Sequence, residues 1–353
     1  ELASRARHLR PKVRRRLLRA GGMDHRSLER FDGTHSTPRA DVNRLGTHSH
    51  LTYSPGYVPA IGMTVNNCFL PRFVYELSHA VVDPASSLVY GSDRRLVLES
   101  SSWPMLWQLA SYPYPKARSN SRFLEGTFVF MPVSGFYHWL IEDLPVFLRS
   151  IESAPDARVL VPSRAPGYVW SALNWLGHDD AIEIDKRISV EKLVMTGKSD
   201  YSGTNGANVH PVDIGVLRER FRSLIPVRPI GHRLVSLRAG YKRAAEDEHD
   251  LVRRLSTHGF EGVDASALSF PEQITLFANT EHLVGLHGAG LSNSVWMHER
   301  AKVTEIFSSK HMVPCYATLA AVRGLQYRHY VYPPDSEVLG ERVIQEVVSG
   351  IDT

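Results

Sequence analysis

The stretch LVGLHGAGLSNSVW, residues 283–296, has the pattern of a buried strand that runs directly into a helix. Its apolar first part ends on His287, and the turn that follows is Gly288-Ala289-Gly290. Because glycine has no Cβ, two glycines in one turn let another group approach the backbone closely. The first turn of a helix also offers N–H groups that suit an anion. The stretch therefore predicts a phosphate site, although a tight packing turn beside a buried histidine would show the same pattern.

The sequence around this stretch alternates between strand and helix patterns. Five strand patterns follow residue 232 and are separated by helix-like runs: 233–238, 260–264, 282–287, 302–307 and 326–332. This alternation predicts a parallel sheet covered by helices on both faces. A similar but less regular alternation covers residues 126–225, and the prolines and glycine of residues 226–232 indicate a linker.

The chain is therefore predicted to be an α/β protein with two domains that face a cleft, the usual position of a ligand. We expect residues 1–50 to be a basic, flexible arm and residues 51–226 to form an N-terminal domain. We expect residues 227–334 to form a C-terminal domain, and residues 335–353 to be a helix that packs back on the N-terminal domain.

The positive charge is concentrated at the start of the chain. Eight basic residues against Glu1 give residues 1–19 a net charge of +7, whereas the whole chain of 353 residues carries +4, so the remainder carries −3. Such an arm suits an anionic membrane surface, and a solvated extension is the alternative. No aromatic residue is interleaved with this charge, which argues against nucleic acid as a partner.

The cysteines and the lengths of the apolar runs indicate the cellular compartment. Cys68 and Cys315 have no metal-site spacing and do not make a disulfide framework, and no apolar run approaches the length of a membrane helix. We expect a cytoplasmic protein with a peripheral membrane contact, with the reservation that an upstream anchor could have been removed.

Charged residues are expected at the ends of neighbouring strands. Arg238 follows the strand pattern RLVSL, with Arg243 shortly beyond, and Glu305 lies inside the apolar run VTEIF. The basic residues could neutralise a diphosphate, or form an ordinary solvated loop. A buried carboxylate needs a partner, so Glu305 predicts either a ribose contact or a structural ion pair.

A second group of polar residues lies in the first part of the chain, in FYHWLIEDLP, residues 136–145. His138 and Glu142 are four residues apart and so share one face of a helix, while Asp143 points elsewhere. A histidine beside a carboxylate suits a general base held by its neighbour, and a core histidine is the alternative.

These segments in this order resemble glycosyltransferase family 61. The similarity is dense over residues 126–152 and 232–310 and weak before residue 120, and where relatives show Arg-x-x-Asn-Glu this chain has RAAED at 243–247. The resemblance implies a GT-B fold of two Rossmann-like domains and an inverting transfer of sugar from a nucleotide-sugar, with a UDP-sugar expected. It places the acceptor on the first domain and the donor on the second.

By matching motif, the resemblance implies donor-binding and catalytic residues. Glu142 is our first choice of base with His138 as the second, and Asp143 stands beside them. The implied donor-binding residues are Arg238, Arg243, His287, Gly288, Ala289, Gly290, Leu291, Asn293 and Glu305.

We expect no metal and no cofactor, because the arginines and the helix start would stabilise the leaving diphosphate. The expected acceptor is a glycan or lipid-linked glycan of a bacterial surface polysaccharide. The alternatives are another polysaccharide-modifying transferase (pyruvyl or sialyl) and a non-catalytic nucleotide-sugar or glycan-binding protein.

Overall fold

The computed structural model describes residues 73–93, 96–97, 100, 122–197, 209–238, 245–309, 312–332 and 338–351. It also gives the backbone of six short strands: His25–Arg26, Glu29–Phe31, Ser36–Pro38, Asn43–Thr47, Gly56–Val58 and Met63–Val65. Residues 1–19, Cys68 and Arg243 lie outside the described residues. His25–Arg26 and Asn43–Thr47 pair with strands of the first sheet, which differs from the flexible arm predicted for residues 1–50.

The first sheet is mixed. Its labelled strands are β1 (Phe73–Asp83), β2 (Leu88–Tyr90), β3 (Leu96–Val97), β4 (Arg122–Phe130), β5 (Arg158–Pro162), β6 (Ile182–Ile184) and β7 (Ile188–Thr196). They lie in the order β3-β2-β1-β7-β4-β5-β6. The four strands from β7 to β6 are parallel, as predicted, whereas β1 runs antiparallel to β7 and β2. Only four residues join β1 to β2, and so short a connection permits only an antiparallel pair.

Helices cover this sheet. The first, α1, runs from Phe136 to Ser153 and contains α-helical Phe136–His138, π-helical Trp139–Asp143 and α-helical Leu144–Ser153. It is followed along the chain by α2 (Gly167–Trp175), α3 (Pro211–Arg220) and a 3-10 turn (Arg222–Leu224). The described residues include no helix long and apolar enough to cross a membrane.

The second sheet has five parallel strands, as the sequence predicts: β8 (His232–Ser236), β9 (Phe260–Val263), β10 (Thr280–Leu286), β11 (Lys302–Ser308) and β12 (Gln326–Tyr332). Its helical elements are α4 (Glu248–Ser256), a 3-10 turn (Ala265–Ala267), α5 (Phe270–Ala278), a 3-10 helix (Ala289–Trp296), α6 (Cys315–Arg323) and α7 (Glu341–Ser349). The strand order is β9-β8-β10-β11-β12. The chain therefore reverses its direction of winding between β8 and β10, which is where open α/β sheets bind ligands.

The first half of the chain, built on the first sheet with α1 to α3, and the second half, built on the second sheet with α4 to α7, share one apolar core. Trp139 of α1 packs edge-on against Phe270 of α5 at 5.0 Å, and Phe221 packs against Trp296 at 5.8 Å between ring centroids. These side chains belong to one buried cluster that contains residues from both sheets. The α/β class and the parallel second sheet are confirmed, and a GT-B arrangement of two domains facing a cleft stays a prediction.

The last helix packs on the second sheet, so the prediction that it returns to the N-terminal domain is wrong. Val343, Ile344 and Val347 of α7 are buried in a cluster with Val235 of β8 and Leu251 of α4. Arg254 of α4 also pairs with Glu341 at 2.5 Å. The eight residues between Tyr332 and Glu341 keep the helix near the strand it follows.

Candidate functional site

The ends of β8 and β10 bring Arg238 and His287 together at the point where the winding reverses. The Arg238 guanidinium donates a hydrogen bond to the backbone carbonyl of His287. The Arg238 backbone N–H donates to both carboxylate oxygens of Glu248, each at 3.0 Å. Glu248 itself is buried at the start of α4. Arg238 and His287 therefore lie close together at neighbouring strand ends, as the sequence predicts. The buried Glu248 carboxylate holds the backbone of Arg238 in place.

The two glycines of the turn make room for side chains of the protein itself. A Cβ at Gly288 would overlap with the Arg238 guanidinium, and a Cβ at Gly290 would overlap with the hydroxyl of Ser236. The sequence predicts that the glycines let a ligand reach the backbone. In the structure, the group that lies against Gly288 is the arginine expected to bind that ligand.

The segment that begins at Ala289 is a 3-10 helix and not the α-helix that the sequence predicts. Leu291 and Asn293 are fully buried, and the Asn293 amide donates to Gln273 Oε1 at 3.1 Å. These two residues pack inside the fold, so their predicted contact with a donor does not fit this geometry. Ala289 is exposed and Gly290 is half-buried, so these two remain at the edge where a ligand could lie.

His287 forms a pair with Glu305, the residue at the centre of β11. The Nδ1 atom of His287 lies 2.5 Å from Oε1 of Glu305, and the Tyr327 hydroxyl donates to Oε2 at 2.5 Å. Glu305 is fully buried, and this burial raises its pKa to about 8. Both carboxylate oxygens are engaged inside the protein, so the predicted ribose contact is not consistent with this structure. The Glu305 carboxyl group instead orients the histidine.

The helix that carries His138 and Glu142 is interrupted by a π-helical turn at Trp139–Asp143. Pro145 explains the interruption, since a proline cannot donate to the carbonyl four residues before it and its ring crowds that carbonyl. The Leu144 N–H accordingly bonds to Trp139, five residues back. Single π turns inside α-helices are frequent at functional sites, and this one holds two of the predicted catalytic residues.

The two carboxylates of this turn have different surroundings. Glu142 lies with Oε2 3.2 Å from Nδ1 of His138, and the His138 side chain is 33% exposed while that of Glu142 is 3% exposed. Asp143 is buried and accepts a hydrogen bond from the Ser134 hydroxyl at 2.5 Å. Burial, with Asp143 nearby, raises the pKa of Tyr168 to about 12. His138 is thus the member of this group that faces solvent.

A pair of buried tyrosines joins the two histidine–glutamate pairs across the two halves. The Tyr137 and Tyr316 rings meet edge-on with centroids 5.6 Å apart. Tyr137 contacts the His138 ring at 5.1 Å, and Tyr316 contacts the His287 ring at 5.4 Å. Burial raises the pKa of both phenols well above the ordinary value, so both are neutral at neutral pH.

Sequence reasoning missed Tyr137, Tyr316, Tyr327 and Glu248. Tyr137 is adjacent to His138 and could have been included with that motif. Tyr316 and Tyr327 lie on α6 and β12, and only the tertiary fold brings them to the site. Among the described residues, no three His, Cys, Asp or Glu side chains are placed to hold a metal ion. A metal-free reaction stays a prediction.

Comparison with known proteins finds similarity to glycosyltransferases. The family model for Glycosyltransferase 61 matches residues 136–304, just under half of the chain. The match begins two residues before His138 and ends one residue before Glu305, so it includes His138, Arg238 and His287 but not Glu305.

Three animal proteins, each named EGF domain-specific O-linked N-acetylglucosamine transferase, are also similar. The protein of Drosophila melanogaster is 29% identical over 126 residues, 32% of this chain and 24% of that protein. The protein of Pan troglodytes is 33% identical over 99 residues, 25% of this chain and 19% of its own length. The protein of Xenopus laevis is 34% identical over 73 residues, 19% and 14% respectively. The chain thus spans a quarter or less of these relatives, and the matches support a glycosyltransferase.

Proposed function

We propose that this protein is an inverting glycosyltransferase that moves a sugar from a nucleotide-sugar donor to a hydroxyl of a glycan acceptor. The observation that carries the proposal is the position of Arg238 and His287 at the ends of β8 and β10. Two strand ends at a winding reversal form the usual ligand site of a doubly wound sheet. Here that site presents a guanidinium, which binds phosphate oxygens in a planar, directional way.

The donor diphosphate would lie against Arg238, Gly288 and Ala289. His287 would contact a phosphate oxygen through Nε2, because its Nδ1 faces Glu305. The buried carboxyl group of Glu305 fixes the ring orientation, as outer partners of functional histidines commonly do. Arg243, predicted to help, lies outside the described residues.

On the acceptor side, the geometry reverses our order of preference between the two candidate bases. Glu142 is almost fully buried, whereas His138 is one-third exposed and has its Nδ1 near Glu142. We therefore assign the base to His138 and the positioning of its ring to Glu142. Asp143 is buried against Ser134 and would support the turn.

These positions support the following reaction. The acceptor hydroxyl attacks the anomeric carbon as His138 takes its proton, and the bond from that carbon to the diphosphate oxygen breaks. The electron pair stays on the diphosphate, which Arg238 and His287 stabilise as negative charge develops. Attack opposite the leaving group inverts the anomeric centre, and the charge on the guanidinium supports a reaction without metal.

The relatives named above indicate which donor to test first. Their names specify transfer of N-acetylglucosamine, so UDP-N-acetylglucosamine is our first candidate, ahead of other UDP-sugars. The acceptor proposed from the sequence is a bacterial surface glycan, free or lipid-linked. The animal relatives are named for a protein acceptor, so an acceptor panel should include both classes.

The test is a transfer assay with a panel of nucleotide-sugars and glycan or peptide acceptors, read by mass spectrometry and by NMR of the new anomeric centre. We expect one donor to yield a product of inverted configuration. A product with retained anomeric configuration would contradict the mechanism. If the protein binds a nucleotide-sugar but transfers nothing, a binding protein would be favoured. Transfer of a pyruvyl or sialyl group would favour the alternative transferase.

We also propose that residues 1–19 contact an anionic membrane surface. Their net charge of +7 supports this, since each basic residue near such a surface contributes about 1 kcal/mol. Co-sedimentation with vesicles containing phosphatidylglycerol should be lost when residues 1–19 are deleted. Equal sedimentation of both proteins would contradict the proposal.

A further inference from the structure

Helix α3 donates hydrogen bonds to the 3-10 helix of the glycine turn through one of its arginines. Arg218 Nη1 donates to the carbonyl oxygens of Val295, Trp296 and Met297 at 2.7, 2.8 and 3.4 Å. These carbonyls lie at the C-terminal end of the 3-10 helix, where peptide dipoles present negative charge. The opposite end of the same helix follows His287 and Gly288. Arg218 therefore holds the segment whose start forms the donor side of the site.

The same helix is fixed to the acceptor side by a buried ion pair. Asp213 of α3 lies 2.8 Å from Arg149 of α1, and both side chains are almost fully buried. Arg149 is on the helix that also carries His138 and Glu142. This pair links α3 directly to that helix, because breaking it would leave a buried charge without its partner.

A second arginine shows what Arg218 adds. Arg323 of α6 donates to the Val295 and Met297 carbonyls at 3.1 and 2.9 Å. It therefore bonds the same end of the same helix, but α6 belongs to the second half, as the 3-10 helix does. Among the first-half residues that the structure describes, only Arg218 donates to these carbonyls. Its guanidinium is largely buried, and that burial, followed by the charge of Arg323, lowers its pKa to about 10.

We propose that Arg218 is a positioning residue that keeps the His287 side of the site correctly placed relative to the His138 side. The inference rests on the proposed function, because it assumes that both sides act on one reaction. Asp213 fixes α3 to the acceptor helix, and Arg218 fixes α3 to the donor segment. Loss of Arg218 should leave each side intact but misalign the two. A misplacement of about 1 Å can lower the rate of a chemical step about 100-fold.

The experiment compares three substitutions in the full-length protein. Arg218→Gln removes the hydrogen bonds that α3 donates to the 3-10 helix, Arg323→Gln removes those that α6 donates to the same helix, and Arg222→Gln removes an exposed arginine just beyond α3. For Arg218→Gln we expect kcat to fall at least about tenfold, while the Kd for UDP and both KM values change less than about twofold. For Arg323→Gln we expect a similar fall in thermal midpoint but a much smaller fall in kcat. Arg222→Gln should match wild type.

A measurement without turnover separates this inference from the proposed function. Hydrogen exchange at residues 136–143 should become faster in Arg218→Gln and stay unchanged in Arg323→Gln, because Arg218 extends from the half that contains these residues and Arg323 does not. Equal losses of kcat in the two variants, or unchanged exchange at residues 136–143, would overturn the inference. If wild type transfers no sugar, the proposed function fails, and the exchange comparison still tests the positioning role. Arg218→Lys keeps the charge and should recover part of the lost rate, and it replaces Arg218→Gln if that variant does not fold.

Discussion

The imidazole of His287 is held by Glu305, whose Oε1 lies 2.5 Å from Nδ1, and the carboxylate is fully buried. The histidine that ends the apolar strand is thus fixed from behind by the next strand of the sheet. This relationship gives Glu305 a positioning role in place of the ribose contact expected from the sequence. It also gives the site a titratable group with a displaced pKa.

The first expectation concerns the pH dependence of stability. Burial raises the pKa of Glu305 to about 8 from an ordinary value of 4.5. Between these values the folded carboxyl keeps a proton that the unfolded one has lost, so unfolding releases a proton. The free energy of unfolding should therefore fall as pH rises, with a slope of about 1.4 kcal/mol per pH unit relative to Glu305→Gln. Urea unfolding of both proteins at pH 5.5 and 7.5 measures this, and parallel pH profiles would contradict it.

The acceptor side is tested by His138→Ala and Glu142→Gln. A general base contributes about 100- to 10,000-fold, so we expect His138→Ala to lower kcat by an amount in that range. Glu142→Gln should have a smaller effect because it acts through the histidine. Neither variant should change the Kd for UDP, and His249→Ala, on the exposed face of α4, serves as control. Full turnover in both variants would show that this assignment is wrong.

Gly288→Ala tests why the turn contains glycine. The added methyl would displace the Arg238 guanidinium from the His287 carbonyl. We expect a loss of stability of about 1–3 kcal/mol and weaker UDP binding. Gly215 of α3 has no heavy atom near an added Cβ, so Gly215→Ala should stabilise by about 0.4–1 kcal/mol. Calorimetric melting and UDP titration measure both, and unchanged UDP affinity in Gly288→Ala would count against a donor contact at this turn.

Removing one partner of the Arg149–Asp213 pair should destabilise the fold more than replacing both partners with apolar residues. Asp213→Ala leaves a buried guanidinium without its carboxylate, so we expect the free energy of unfolding to fall by about 3–5 kcal/mol. The double replacement Arg149→Met with Asp213→Leu should lose much less, because it removes both charges. Denaturant unfolding of the two variants makes the comparison. A double variant no more stable than the single one would contradict this view of the pair.

The sequence predicts the second half of the fold well because each strand there is a short apolar run between helical runs. It fails for β1 to β3, whose pairing depends on a tight turn and on strands distant in the chain. At the site, proximity of Arg238 to His287 follows from strand-end reasoning alone. The burial of Asn293 and the partners of Glu305 do not follow, because both depend on side chains that tertiary packing brings from α5 and β12. The π turn could have been anticipated from Pro145.

The measurement that tests the central claim most directly is calorimetric titration of UDP into wild type, Arg238→Ala and Arg233→Ala. Arg233 lies on β8 and pairs with Glu281 at the surface, so its loss controls for a change of charge on the same strand. We expect wild type and Arg233→Ala to bind UDP with similar Kd, and Arg238→Ala to bind at least about tenfold more weakly, since a charge-assisted hydrogen bond contributes about 1.5–3 kcal/mol. Equal affinity in all three proteins, or no binding of UDP or any other nucleoside diphosphate by wild type, would contradict a donor site at this sheet edge.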